Sequence, residues 1–378
     1  MPVDAAEREA RIIMSRVAEP GDVDACRLVN EHSAAALVDR LRRGHTGGSK
    51  LSDWAERIGC TRAEPLLAQA AAVDAHYICP GDDDWPVQLD DLARLDSCGP
   101  DRRGGAPFGL WVRGSLDGAA LRRRSVAVVG SRSATAYGEH VAGDLAMECA
   151  DRGYVVVSGG AYGIDAAAHR GSIAADQATV AVMAGGIDRL YPSGNAALLH
   201  QIIAHGLVVA EAAPACAPSK SRFLVRNRLI AALSQGTVVV EAALRSGSLN
   251  TARWARDLNR WVMGVPGPVT SRLSAGVHEL LRQPETTLVT DAAEVIEQLA
   301  PVGEELAPAK AGPTNPWDWL DARSRRLLDA LPVSRPASVS SIARAAGLEQ
   351  DDVTTRLHRL RAAGLVAGGD AGWRLRRE

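Results

Sequence analysis

Lysine and phenylalanine are nearly missing from this chain: only Lys50, Lys220 and Lys310 are lysines, and there are two phenylalanines in 378 residues. Its positive charge is therefore almost all arginine, which suits bidentate phosphate contacts and stacking. An arginine-rich composition is equally the product of a GC-rich genome. There is no excess of either sign: the formal charge is -2 and the pI near 6.5. That excludes nucleic-acid binding by bulk positive charge, so any such surface must be a local patch. Six cysteines (Cys26, Cys60, Cys79, Cys98, Cys149, Cys216) are scattered and form no CxxC pair. Neither a zinc site nor a disulfide framework is indicated. No stretch is long and apolar enough to span a bilayer, and Met1 to Arg11 lack a signal-peptide core, so a cytoplasmic protein is expected. A GxSxG elbow and a metal cluster are also missing.

What is present is length and apolar content. A chain of 378 residues suggests two or three domains, and 46% hydrophobic residues can bury a sizeable core. Up to about residue 75, helical patterns such as Arg11–Met14 and Ala34–Leu41 alternate with polar breaks and show no strand signal. A turn-rich bridge, Cys79 to Pro86, leads into an irregular stretch ending near Gly105. Then β-branched runs recur: Val126–Val129, Val155–Val157, Thr179–Met183, Leu207–Val209, Thr237–Val240 and Val262–Val265. Continuous apolar strands alternating with helices predict a doubly wound α/β domain with a parallel sheet, ending near residue 299. Residues 300–316 read as a Pro/Ala/Gly-rich linker. Helices over Ser324–Leu331, Val339–Ala346 and Asp351–Ala363, then strands Leu365–Ala367 and Gly372–Leu375, predict a winged helix-turn-helix.

In a doubly wound sheet, ligands meet the loops after the strands. Gly130-Ser131-Arg132-Ser133 offers backbone N–H groups and a cation to an anion, without the spacing of a dinucleotide GxGxxG loop. Ser158-Gly159-Gly160-Ala161-Tyr162-Gly163-Ile164-Asp165 implies backbone held close to something. Asp165 and His169 lie one helical turn apart; capping and packing are weighed above metal or acid–base work. Lys220-Ser221-Arg222-Phe223-Leu224-Val225-Arg226-Asn227-Arg228 crowds four cations around an aromatic, a pattern for tracking a phosphate backbone and stacking a base. Core packing of Phe223 and solvated arginines is the plain alternative. Ser246-Gly247-Ser248 with Thr251 opens a second helix, and Glu241 before it is read as orienting an arginine or a loop N–H.

These residues, in this order, resemble the DprA/Smf family: Gly130-Ser131-Arg132, Ser158-Gly159, Gly163-Ile164-Asp165, His169, Tyr191-Pro192, Arg226-Asn227-Arg228, Glu241, Ser246-Gly247-Ser248, Thr251 and Pro266-Gly267. The resemblance covers roughly residues 77–299, with Trp85-Pro86, Leu89 and Leu110 to Gly114 as its lead-in. It implies a Rossmann-like core that binds single-stranded DNA, a homodimer, and the loading of RecA during DNA uptake or recombination. It also implies a small helical SAM-like domain over residues 1–76 and a C-terminal winged-helix domain over 317–378. The contact set so implied is Ser131, Arg132, Ser158, Gly159, Gly160, Arg222, Phe223, Arg226, Asn227, Arg228, Ser246, Gly247, Ser248 and Thr251. No catalytic residue, metal, cofactor or membrane contact is implied. Two departures stand out. Val225 occupies a position where many members are basic, leaving Arg222 or Lys220 to supply the charge. Gly160 replaces the leucine of a Ser-Gly-Leu-Ala loop.

Two other functions remain as alternatives. A phosphoribohydrolase would use Glu241, but its Pro-Gly-Gly-x-Gly-Thr loop is missing. A duplex-binding regulator would use Arg356, His358, Arg359 and Arg361, with Glu349, Asp351 and Asp352 opposing it. A self-association surface is expected at Val277, Leu280, Leu281 and the helix Ala292 to Leu299, with core packing as the equal alternative.

Overall fold

The computed structural model describes residues 3–95, 103–116, 124–310, 315, 317–369 and 371–376. Cys98, part of the expected linker and the wing-turn residue Asp370 lie outside the described residues. Contacts divide the chain into two compact units, Met1–Ala307 and Pro308–Glu378.

The first unit opens with five helices, α1 (Ala5–Val17), α2 (Val23–His32), α3 (Ala34–Arg42), α4 (Ser49–Cys60) and α5 (Ala63–Ala71). They have no core of their own. Ile12, Ile13, Met14, Leu37 and Trp54 join one apolar cluster with Trp111, Met183 and Val208 of the sheet. The strands are β1 (Ala75–Ile78), β2 (Leu110–Gly114), β3 (Ser125–Val129), β4 (Val155–Ser158), β5 (Thr179–Met183), β6 (Leu207–Ala210), β7 (Gly236–Val239), β8 (Trp261–Gly264) and β9 (Thr286–Leu288). They form a single sheet in the order β1-β2-β6-β5-β4-β3-β7-β8-β9. From β6 to β9 every neighbour is parallel, whereas β1 and β2 close one end antiparallel.

The β-branched runs predicted from sequence are these parallel strands, buried on both faces. Val126 and Val128 pack on one face against α6 (Ala136–Asp151), α7 (Ile164–Ala174) and α12 (Ala292–Leu299). Ala127 and Val129 pack on the other against α9 (Lys220–Ala232) and α10 (Ser248–Asp257). Strands β1, β2 and β9 were not among the predicted runs. Between β1 and β2 the irregular stretch holds a 3₁₀ segment, Val87–Arg94.

Chain order runs β3, β4, β5, β6 in one direction and then returns to place β7 on the other side of β3. That reversal opens a crevice beyond the carboxyl ends of β3 and β7, where ligands of such sheets bind. The expected self-association stripe is corrected here: Val277 and Leu280 are 0% and 3% exposed, and Ala292, Val295, Ile296 and Leu299 also fill the core. Their apolar spacing reflects packing against β8 and the neighbouring strands.

The second unit contains α13 (Ala322–Asp329), α14 (Val339–Ala346), α15 (Gln350–Ala362) and the antiparallel ribbon β10 (Val366–Gly369) and β11 (Gly372–Leu375). Leu327, Ile342, Val353, Leu357 and Trp373 form its separate core.

Candidate nucleic-acid interface

The crevice holds a cavity of about 910 Å³. Its first wall is the loop after β3. Gly130 is required there, because a Cβ would lie 2.5 Å from Ile164 Cγ1 and 2.9 Å from the Glu241 carbonyl. The Ser131 N–H donates to that carbonyl at 2.7 Å, and the Ser131 carbonyl accepts from Ile164 N at 3.2 Å. With the loop pinned at both ends, Arg132 remains exposed. Its guanidinium lies 4.6 Å over the ring of Phe223. Glu241 is 1% exposed. Its carboxylate accepts from the Thr135 N–H at 2.8 Å and the Thr135 hydroxyl at 2.7 Å. It therefore orients a loop N–H, one of the two roles read from sequence.

The loop after β4 lies beneath the cavity. Ser158 is fully buried and donates to Val128 O at 2.7 Å. Gly159 and Ala161 donate N–H bonds to Asp165 at 3.1 and 3.4 Å. A Cβ on Gly159 would meet the Arg226 guanidinium at 2.5 Å, and Gly160 has φ +65°. Ser158, Gly159 and Gly160 are thus not in the cavity wall, a correction to the expected contact set. Their hydrogen-bonding groups are spent on holding the loop and Arg226.

Asp165 does not cap its own helix, since the N-cap is Gly163; it gathers the amides of the preceding loop instead. Burial raises its pKa against the opposing charge of Arg226 and those N–H bonds. His169 is 0% exposed. The Thr179 hydroxyl donates to Val156 O at 2.8 Å, so it accepts from His169 Nδ1 at 2.8 Å. That assigns the neutral Nδ1–H tautomer. Burial first, then the charge of Arg226, pushes the His169 pKa down to about 3. Both are held inside the fold by these bonds, and among the described residues no group of three or more His, Cys, Asp or Glu could hold a metal ion.

Helix α9, capped by Ser219, divides its residues between two surroundings. Lys220, Phe223, Leu224, Arg226, Asn227 and Ile230 line the cavity. Arg222 turns toward the N-terminal segment, where it pairs with Glu19 at 2.9 Å and donates to Ala217 O at 2.7 Å. Arg228 is 0% exposed. It grips Glu211 at 2.7 and 2.8 Å and donates to Gly105 O at 3.0 Å. The Glu211 carboxylate also accepts from Gly21 N at 3.0 Å. Arg222 and Arg228 are therefore corrected from phosphate contacts to internal ties. Val225, 7% exposed, lies against Gly21, so its departure from a basic residue changes the packing of the N-terminal segment rather than the cavity.

Arg226 lines the cavity yet is only 6% exposed. Its Nη1 donates to Gly159 O at 2.8 Å and also to Val182 O. Burial brings its pKa down to about 10; Asp165 opposes that shift and Arg132 adds to it. Asn227 holds the facing loop by donating to Gly247 O at 3.1 Å. That loop brings Ser246, Gly247, Ser248 and Thr251 into the lining, at the N-terminus of α10, where backbone N–H groups favour an anion. Ser246 and Ser248 share a hydroxyl hydrogen bond at 2.8 Å.

The lining residues outside the expected set include two cations, Lys220 and Arg245, and an aromatic, Tyr191. Lys220 and Arg245 are exposed. Tyr191 is 46% exposed, with its ring 5.8 Å from that of Phe223. A signal existed for each. Arg245 flanks Ser246-Gly247-Ser248 as Arg132 follows Ser131, and a tyrosine in a Gly-rich post-strand loop is conspicuous in a chain with five tyrosines. The lining thus carries Arg132, Lys220, Arg226 and Arg245 against the single carboxylate of Asp165. It can hold phosphates and offers a half-buried aromatic face.

In the second unit, the cations of α15 are largely committed. Arg356 pairs with Asp321 at 2.8 Å and Asp352 at 2.9 Å. Arg361 lies 5.6 Å over Trp373, and His358 meets the edge of the same ring. Arg359 is exposed.

Comparison with known proteins points the same way. A Mycobacterium tuberculosis protein named as a DNA processing protein, DprA, is 44% identical over 366 residues, covering 96% of this chain and 93% of its own. The crystal structure of Streptococcus pneumoniae DprA aligns at TM-score 0.64 and 28% identity, covering 79% of this chain and 99% of that one. A structure of Helicobacter pylori DNA processing protein A, described for its single-stranded DNA binding mode, aligns at TM-score 0.51 and 28% identity, covering 59% of this chain and 95% of that one. Residues 76–300 match the sequence profile of the DNA recombination-mediator protein A family, and the chain belongs to that family.

Proposed function

We propose that this protein binds single-stranded DNA in the cavity between β3 and β7, acting as a binding protein rather than an enzyme. The observation that carries the reading is Phe223, flanked by the Arg132 guanidinium at 4.6 Å and the Tyr191 ring at 5.8 Å in a cavity with four cations. Cations beside an aromatic suit a strand whose backbone is neutralised and whose bases stack without sequence preference. Several anion sites along one sheet edge fit a polymer better than a mononucleotide. The description of the Helicobacter pylori relative supports this choice of ligand. Glu241, the carboxylate a phosphoribohydrolase would need, is committed to Thr135.

Family membership supports a wider role. The protein acts in the cytoplasm as a homodimer that helps place RecA on single strands during DNA uptake or recombination. The N-terminal helices are the SAM-like segment, and the second unit is a winged helix with a weak DNA-binding or protein-binding role.

The test is a titration of fluorescent oligo(dT) with the full chain and with Arg132→Ala, Lys220→Ala and Phe223→Ala, beside a duplex control. Single strands should bind better than duplex, and each variant should weaken binding. A parent that ignores single strands, or variants that all match it, would end this reading. A positive result makes a RecA-filament assay the next step.

A further inference from the structure

The chain has five tyrosines and two phenylalanines. Tyr77, Phe108 and Tyr154 are buried at 6%, 5% and 1% exposure. The other four gather beyond the carboxyl ends of the strands. Tyr137 opens the helix after β3, Tyr162 sits in the loop after β4, Tyr191 follows β5, and Phe223 lies on α9. Scattered exposed aromatics need no explanation. Here, however, all three exposed tyrosines share the edge that bears the cavity.

Tyr191 lies against Phe223, and Tyr162 stands in the loop after the neighbouring strand β4. Strands β4 and β5 are neighbours, and their loops are fastened by Asn195 Nδ2, which donates to Gly160 O at 3.0 Å. Tyr162 packs its hydroxyl over Gly194, where a Cβ would lie only 2.5 Å away. Gly194 stands three residues after Tyr191, whose ring meets Phe223 at 5.8 Å. Tyr137 is different, because its hydroxyl donates to Pro266 O at 2.7 Å on the far side of β3. Among the described residues the hydroxyls of Tyr162 and Tyr191 make no hydrogen bond, and their rings are 46% exposed. Arg189, exposed in the Tyr191 loop, places a cation along the same edge.

We infer that the single strand leaves the cavity over Tyr191 and runs on to Tyr162, which is a second stacking platform for an unpaired base outside the cavity. This rests on the proposed single-strand reading of the cavity. An exposed tyrosine ring offers a face to any base, so the platform adds affinity without reading sequence. It also lengthens the site, so its contribution exists only for strands long enough to reach it.

The experiment measures binding of fluorescent oligo(dT), from about 4 to about 20 nucleotides, to the full chain and to Tyr162→Ala and Tyr162→Trp. Thermal unfolding of each variant serves as a folding control. The expected result is that Tyr162→Ala leaves the shortest bound oligonucleotide unaffected. Longer ones should weaken roughly 5- to 150-fold, the range that stacking on one aromatic contributes. Tyr162→Trp should restore them, and abasic positions at the reaching end should remove the difference between parent and Tyr162→Ala. If Tyr162→Ala matches the parent at every length while Phe223→Ala weakens binding, the platform is wrong and the cavity reading stands. Uniform weakening at all lengths places Tyr162 in the cavity's own function and also overturns the extension. A parent that binds no oligo(dT) at any length removes the underlying reading itself.

Discussion

Arg228 and Glu211 form a two-pronged ion pair at 2.7 and 2.8 Å, with the arginine side chain entirely out of solvent. Removing one partner of such a pair leaves an uncompensated buried charge. Arg228→Ala should therefore destabilise the protein by about 3–5 kcal/mol, read from the urea midpoint. Replacing both partners, as Arg228→Met with Glu211→Leu, should recover most of that loss. An unchanged midpoint with weakened oligo(dT) binding would instead make Arg228 a phosphate ligand.

Arg132 makes the opposite case. It is exposed, and its contact is the face of Phe223. Arg132→Ala should change stability by less than about 0.5 kcal/mol. It should also lower the log-log salt slope of oligo(dT) binding by about 0.7 if one phosphate contact is lost. Lys220→Ala should behave alike. A slope equal to the parent's would mean that neither cation meets the backbone.

His169 gives a pH signature. Its pKa in the folded chain is about 3, against an ordinary value of 6.5. Between these values the unfolded chain binds more protons, so stability falls as the pH drops below about 6.5, by at most about 1.4 kcal/mol per pH unit for this one group. Asp165, raised by burial, contributes with the opposite sign: its share is present at low pH and is lost as pH rises through its folded pKa. Urea unfolding of His169→Gln and the parent across this range separates the two. The variant should be less stable at pH 7 and show a flatter fall; parallel curves would refute the assignment.

Val225, where the family resemblance led to the expectation of a basic residue, is 7% exposed and packs on Gly21. Val225→Lys should not strengthen oligo(dT) binding. It should lower the melting temperature, since overpacking alone costs about 1–3 kcal/mol. Tighter, salt-sensitive binding with unchanged stability would show that the side chain reaches the cavity.

The strands β3 to β8 were legible because burial on both faces leaves continuous β-branched runs. Strand β1, with the sequence Ala-His-Tyr-Ile, and β9, three residues long, lie at the sheet's edges and lack that pattern. On α9, spacing alone separates Lys220, Phe223, Asn227 and Ile230 from Arg222, Val225 and Leu229. Which group faces the cavity depends on the sheet beneath. The partners that sequester the arginines come from elsewhere in the chain: Glu211 is 17 residues from Arg228, and Glu19 is 203 from Arg222. Four clustered cations looked alike because a charge pattern does not show which charges are already neutralised.

Arg226 carries one more consequence. Its guanidinium is fixed to carbonyl oxygens beneath the cavity floor, almost out of reach of the solvent. Dissolved ions gather around Arg132, Lys220 and Arg245 and blunt their pull, but a buried charge is screened much less. For a strand in the cavity, the outer cations set how steeply the grip declines as brine is added. The inner one supplies a remainder that brine removes only slowly.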